Sequence, residues 1–479
     1  TSAPFSSGEN NTALGYQALT AFTTGYSNVA VGNQAGDAIT SGYENVAVGQ
    51  GALGAANDGY QNTAIGHLAM GNSAANAGSS NVAIGYRTME EVNDGFSNTY
   101  IGTLSGGSEG GVSGDYNIGI GHQADKTRVA GNYNISIGYR ANEMQGLGGG
   151  ANSIAIGQNA SLRYGNIAAG VYQAKSNRIA IGSYAGAYMT SGDNSTIIGI
   201  NSYKGNASVY NATASYVTTL GANTGQYATG SYNTFIGAEA GKGGTTSAPF
   251  SSGESNVAVG KSAFAGFTTG YSNTVMGVNA GDAITTGYEN TIIGQAAGTN
   301  LVGGNNNVMI GQLAGYATTG VSGTVIIGEQ AGYTGNMTSA ADGTVSIGSG
   351  AGKNITSGIG NVSVGFGALA TENDGDYNTA VGHQALSAQT GTSGIVGNTA
   401  VGYQAGLNIT TAIGNVAVGT YALHGVTANG ACVGIGYEAG KFNQTGTGNI
   451  YIGYQAGMGV YENSHSGNVG IGYYALRVV

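Results

Sequence analysis

Tryptophan is absent from this chain, and cysteine and proline nearly so: Cys432 stands alone, and the only prolines are Pro4 and Pro249. A single cysteine excludes an intrachain disulfide and leaves the redox compartment open. Two prolines exclude a Pro-rich linker. The 92 glycines do not fall at every third position, which excludes collagen. Charge is equally scarce. Asp, Glu, Lys and Arg make up 8% of the 479 residues, well under the usual quarter. The balance is acidic, formally −10, and the 13 Lys and Arg are scattered. That argues against a nucleic-acid partner, which needs a basic stripe, and against an anionic-membrane patch. No apolar run approaches the ~18 residues of a membrane span, so no membrane insertion of this segment is expected. No secretory leader precedes Thr1, so a processed or excerpted start is expected. Disorder is excluded as well, because 41% of the residues are hydrophobic and they recur in strict order.

That order is the dominant feature. Asn28-Val29-Ala30-Val31-Gly32 returns as Asn45-Val46-Ala47-Val48-Gly49 and as Asn62-Thr63-Ala64-Ile65-Gly66, with the closing glycines Gly15, Gly32, Gly49 and Gly66 spaced by 17 residues. The series runs to Asn468-Val469-Gly470-Ile471-Gly472, with one degenerate member at Gly170 in an irregular stretch. A short fixed period means one supersecondary unit per repeat, stacked in a line. The expected fold is an all-β parallel β-solenoid, a β-roll of about 27 coils; at ~4.8 Å per strand it would be a rod on the order of 130 Å.

Within each repeat, Val, Ile or Thr stands three residues before the closing Gly and an aliphatic residue one before it, two apart and so on one face of a strand. The residue between them varies from Gly119 to Tyr100. On packing grounds the constant pair is expected to point into the coil and the variable residue outward. A second short segment, such as Tyr16-Gln17-Ala18-Leu19, reads as a second strand whose Ala packs inward, so that one coil holds two strands and two turns. The leading Asn11, Asn28, Asn45 and Asn62, with Asn256, Asn273, Asn290 and Asn307 further on, are expected to stack as an amide ladder that also satisfies the turn backbone. The closing Gly suits a positive φ or a close coil-to-coil approach. Cys432 occupies the slot of the leading Asn and reads as a small residue at a packed turn.

A longer repeat overlies the short one. Thr1-Ser2-Ala3-Pro4-Phe5 reappears as Thr246-Ser247-Ala248-Pro249-Phe250, and the register holds through Tyr26/Tyr271 and Tyr43/Tyr288 to Gly66/Gly311. Two arrays are therefore expected, 1–245 and 246–479, related by duplication and continuous with each other. Neither end carries a polar capping repeat, from which flanking domains or end-to-end contacts are expected.

The Asn-Val-Ala-Val-Gly line resembles the head repeats of trimeric autotransporter adhesins. The line Asn11-Thr12-Ala13-Leu14-Gly15-Tyr16-Gln17-Ala18-Leu19 is similar to repeats in bacteriophage tail-fibre proteins. The resemblance covers nearly the whole chain, although the adhesin repeat is shorter. It implies left-handed β-rolls wound as trimers in an extracellular, cell-surface or virion fibre, and carries over no site residues.

Few residues suggest chemistry. His67, His122 and His383 follow closing glycines in separate coils, which suits solvated turns better than a metal centre. The Asp58-Gly59, Asp94-Gly95 and Asp374-Gly375 turns do not recur in every coil, as a calcium roll would require. Glu90-Glu91, the only adjacent acidic pair, would splay apart rather than flank a sugar. No cofactor is implied. Tyrosine is in excess, 31 residues, many in turns or just after the closing Gly. These rings read as ladders locking coil to coil, with an aromatic track for glycans as the alternative. Binding loops are expected where the period lengthens: around Tyr203, Tyr210 and Tyr216, at the junction with Phe250 and Glu254, and between Ser105 and Asp115.

These features point to a non-enzymatic fibre, a stiff spacer or adhesin for attachment to a host or other surface. An apolar outward stripe implies a homo-oligomer, a trimer by preference, and the partners expected are copies of itself and a cell-surface glycan or protein receptor. The alternative is an ice- or glycan-binding solenoid, the first suggested by the Thr-Thr-Gly turns and the second by the tyrosine track.

Overall fold

The computed structural model describes residues 7–477 except 56–57, 73–77, 92–93, 108–113, 127–130, 144–149, 163–175, 190–191, 206–213, 245–250, 392, 429 and 461–464. The chain forms two compact units, one containing Thr1–Ala238 and the other Ser251–Val479. The boundary read at 245/246 falls outside the described residues.

Each unit is a parallel β-solenoid. The first carries thirteen three-residue strands, from Thr12–Leu14 to Thr234–Ile236; the second carries thirteen in its main ladder, from Val257–Val259 to Val469–Ile471. Pairing is in register throughout: Val29, Ala30 and Val31 lie against Val46, Ala47 and Val48 one coil on. Irregular elements appear where the period lengthens. The two-residue strands Gly375–Asp376 and Gly394–Ile395 pair with each other, and a single 3₁₀ turn spans Ser339–Ala341. Among the described residues there is no α-helix. Ile154–Ile156 pairs directly with Ile179–Ile181, so no strand comes between them. Gly170, which the sequence suggested as a coil of its own, lies outside the described residues.

The inward and outward faces are the reverse of the sequence expectation. The middle residue of each strand points into the coil, as Ala30, Ala47, Ala64 and Ala83 do, while the flanking Val, Ile and Thr are half-buried or exposed. The variability of the middle position is volume compensation between coils. Tyr100 is 1% exposed and fits inside because its register partner is Gly119; a Cβ on Gly119 or on Gly106 would overlap the Tyr100 ring. Core packing constrains the summed volume, so one slot can range from Gly to Tyr when its neighbour ranges the other way.

The rest of the interior comes from the segment after the closing Gly. Its Ala is buried at Ala35, Ala52 and Ala69, with Leu53 and Met70 one position on, or Ile39, Ile284 and Leu301 four positions after the Ala slot, and Met89 follows Thr88 in the same slot. This segment is not a second strand. Among the described residues each coil contributes one strand to the main ladder, and most of the remainder is a run of turns in which non-glycine residues take left-handed backbone: Gln34 (φ 56°), Glu44 (φ 55°) and Leu53 (φ 53°). That conformation costs about 1–2 kcal/mol per residue. It turns each N–H toward a neighbouring coil: Gln34 donates to Tyr16 O at 2.8 Å, Glu44 to Tyr26 O at 2.9 Å and Leu53 to Ala69 O at 2.9 Å. The closing glycine is more restricted. Gly49 has φ 130°, and a Cβ there would sit 2.6 Å from Gly66 O in the next coil, so conformation and close approach both demand glycine.

Candidate functional site

Three features run the length of the coils: a buried asparagine column, columns of stacked rings, and the outward face of the strands.

The asparagine column begins at Asn11, whose Nδ2 donates to Gly25 O at 2.9 Å. Asn28, Asn45 and Asn62 are buried and repeat the bond, donating to Gly42 O, Gly59 O and Gly78 O. Each side-chain Oδ1 accepts the backbone N–H of the next coil's asparagine, Asn28 N to Asn11 Oδ1 at 2.8 Å and Asn62 N to Asn45 Oδ1 at 2.9 Å. In the second unit Asn256, Asn273, Asn290 and Asn307 donate to Gly270 O, Gly287 O, Gly304 O and Val321 O at 2.8–2.9 Å. Gly15, Gly32, Gly49 and Gly66 close the adjoining turns, all at φ 130–140°. Three exchanges in this slot keep a donor for the carbonyl fourteen residues ahead, whereas Ser153, Ser195 and Thr324 donate to Ala151 O, Asp193 O and Asn307 Oδ1. Arg178 donates to Gly192 O through Nε at 3.1 Å and also through Nη2, Thr344 Oγ1 to Gly358 O at 3.4 Å, and Cys432 Sγ to Gly446 O at 3.2 Å. The column thus spends its polar atoms inside the molecule.

The rings stack in two columns. Before the strand, Tyr26, Tyr43 and Tyr60 lie 4.8 and 4.9 Å apart with planes within 5°, and Tyr271 and Tyr288 repeat this at 4.8 Å and 3°. After the closing Gly, His67 stacks on Tyr86, His122 on Tyr139, and His383 between Phe366 and Tyr403. Within each stack these ring faces are turned to one another. The first threonine of three Thr-Thr-Gly turns is similarly committed: Thr23, Thr268 and Thr285 donate their hydroxyls to Thr40 O, Thr285 O and Val302 O.

The candidate loops divide. Tyr203 is a correction: it is 0% exposed, with its hydroxyl donating to Gly230 O at 2.9 Å, because a neighbouring glycine, Gly225, vacates the space its ring needs. Tyr216 is exposed and stacks on Tyr232 at 5.3 Å. Glu254 is exposed, and its carbonyl accepts from Ser272 N. Tyr210 and Phe250 lie outside the described residues. Nothing brings Tyr203 and Tyr216 to one surface.

Titratable groups are scattered. Glu90 is buried and paired with Arg87 at 2.6 Å, and Glu438 pairs with Lys441 at 2.6 Å. Burial pushes the Asp37 and Asp282 carboxyls up, while burial, then Lys441, lowers His424. Sequence reasoning missed Glu372, a buried carboxylate in the interior slot that Ile355 and Ile409 occupy elsewhere. Its Oε1 accepts from the N–H groups of Asn373, Asp374 and Gly375 at 2.8–3.2 Å, and burial raises its pKa. Alignment on the closing Gly could have found it as an acid seven residues after Gly365. Among the described residues no three His, Cys, Asp or Glu side chains gather as a metal site, and no helix is long and apolar enough to cross a membrane.

The outward face is the remaining surface. In all 26 strands of the two main ladders its two positions are Val, Ile, Leu, Met or Thr, and never charged. No protein-family model, curated protein or solved structure matches this chain.

Proposed function

We propose that this chain is a non-enzymatic fibre segment, a stiff spacer that serves surface attachment outside the cell or on a virion, and that it works as a homo-oligomer packed through the outward strand face. One observation carries the reading. Ile118 and Ile120 are 37% and 38% exposed, Leu220 is 49%, and such positions recur from strand to strand without a charge to interrupt them. Each unit thereby leaves a long ladder of mostly apolar side chains at least partly uncovered, and contiguous apolar surface of this kind marks an interaction site. A partner with the same ~4.8 Å strand repeat can interdigitate with that ladder along its whole length, and another copy has that repeat. A trimer is the preferred state, because three such faces enclose a shared apolar axis. The committed hydroxyls, amides and ring faces favour a scaffold over a catalytic or ice-binding surface. A receptor, glycan or protein, is then met by exposed turn residues such as Tyr216 and Glu254.

The test is the mass of the full chain in solution by sedimentation velocity. A trimer that falls to monomer when Ile101 and Ile120 are both changed to Lys, with unchanged circular dichroism, supports the proposal. A parent chain that is already monomeric at tens of micromolar overturns it.

A further inference from the structure

We propose that the in-register tyrosine columns are sites of oxidative cross-linking, in which a one-electron oxidant joins stacked rings of successive coils as dityrosine. The geometry is specific. Tyr26 to Tyr43 and Tyr43 to Tyr60 place near-parallel rings at 4.8 and 4.9 Å, and Tyr271 to Tyr288 repeats the arrangement in the other unit. The backbone fixes this register: Glu44 N donates to Tyr26 O, Gln61 N to Tyr43 O and Glu289 N to Tyr271 O, at 2.9–3.1 Å. The rings are reachable, with Tyr26 42% and Tyr271 43% exposed and their partners Tyr43 and Tyr288 half-buried, so an oxidant acting at the surface can withdraw the electrons. Near-parallel rings with centroids 4.8–4.9 Å apart bring the ortho carbons of neighbouring phenols close together. Solvent-facing side chains can then close the gap by rotation alone.

The step balances with hydrogen peroxide, through a haem peroxidase, as oxidant. Each phenol gives up one electron and one proton to become a phenoxyl radical. Two radicals form one Cε–Cε bond, and the hydrogens on those carbons shift to oxygen, restoring both phenols. The peroxide O–O bond breaks, taking up the two electrons and two protons as two waters. The product ties one coil to the next across 17 residues, as Tyr26 is to Tyr43.

Other aromatic pairs in the molecule serve as internal controls. Tyr316 and Tyr333 are tilted by 38° at 5.6 Å, and Tyr421 stands edge-on to Tyr403 at 89°. Their ring planes are not parallel, so they should couple poorly.

The experiment uses the full chain, mixed one to one with isotope-labelled copies and exposed to peroxidase and peroxide. Dityrosine emission is followed, and linked peptides are mapped by mass spectrometry. Links joining Tyr26–Tyr43, Tyr43–Tyr60 and Tyr271–Tyr288 within one chain, each with loss of two hydrogens, are expected. The variant Y43F should erase the first two and leave the third, and Y288F the converse; Phe keeps the stacked ring, and circular dichroism checks the fold. Links spread equally onto Tyr316–Tyr333 and Tyr403–Tyr421, links only between labelled and unlabelled chains, or a pattern indifferent to both variants would overturn the proposal.

Discussion

The ring of Tyr100 lies over Gly119, its register partner one coil on, and fills the room that a side chain there would take. The Tyr100 hydroxyl reaches Asp125 Oδ2 at 2.8 Å, so a phenol crosses the interior and is satisfied there. Gly119→Ala should destabilise the coil by about 1–3 kcal/mol through overpacking. Adding Tyr100→Ala should recover part of that loss, because the two volumes are coupled. Chemical denaturation of the two single variants and the double variant measures the coupling, and strict additivity would contradict it.

Asn45→Ala should act locally. It removes the donor to Gly59 O and the acceptor for Asn62 N, stranding two buried backbone groups at about 1–3 kcal/mol each. In a linear stack each coil touches only its neighbours. Faster amide exchange confined to the adjoining coils is therefore expected, and acceleration throughout the unit would count against a local ladder.

The face assignment is tested by neighbours in one strand. Ile65 is 37% exposed, whereas Ala64 is buried. Ile65→Lys should change stability by no more than about 0.5 kcal/mol in the isolated chain. Ala64→Lys should cost several kcal/mol, because it buries an unpaired ammonium. Thermal melts of the two variants distinguish them, and the opposite order would restore the sequence-based assignment.

Glu372 links stability to pH. Burial is the largest cause raising its pKa, against the backbone bonds that lower it. An acid whose folded pKa lies above its unfolded value contributes stability that is complete below the unfolded pKa and is lost as pH rises through the folded one. Glu372→Gln keeps an oxygen for the three N–H groups and never ionises. It should make its coil more stable than the parent near pH 7, with the difference vanishing below about pH 4. Exchange protection of Asn373–Gly375 across that range reads it out; a parent that gains protection with rising pH would reverse the sign.

Much of this architecture was legible in the one-dimensional pattern. Val, Ile and Thr around a closing Gly identify the strand, and the spacing of Gly32, Gly49 and Gly66 identifies the coil. Three readings did not transfer: the inward face of the strand, the second strand in each coil and the surface placement of Tyr203. Constancy was taken for burial at Val29 and Val31, yet a position can be constant because it lines a repeating outer face, and Tyr100 is inside because Gly119 makes way. Gln34, Glu44 and Leu53 carry no mark of left-handed backbone, since the hydrogen bonds that compensate for it come from other coils. Tyr203 had the composition of a surface residue and is buried for the same reason as Tyr100.

By itself, the sequence determined the 17-residue repeat, its parallel stacking and the turn glycines, because those depend on local conformation and on a period that can be measured along the chain; that a coil contributes one ladder strand and not two came from the structure. Which face of each strand is inside, where the rings and the Glu372 carboxylate sit, and which hydroxyls are already committed were decided only in the tertiary structure. The physical reason is that the interior is shared between coils: volume and hydrogen bonds balance across a 17-residue step, not within it.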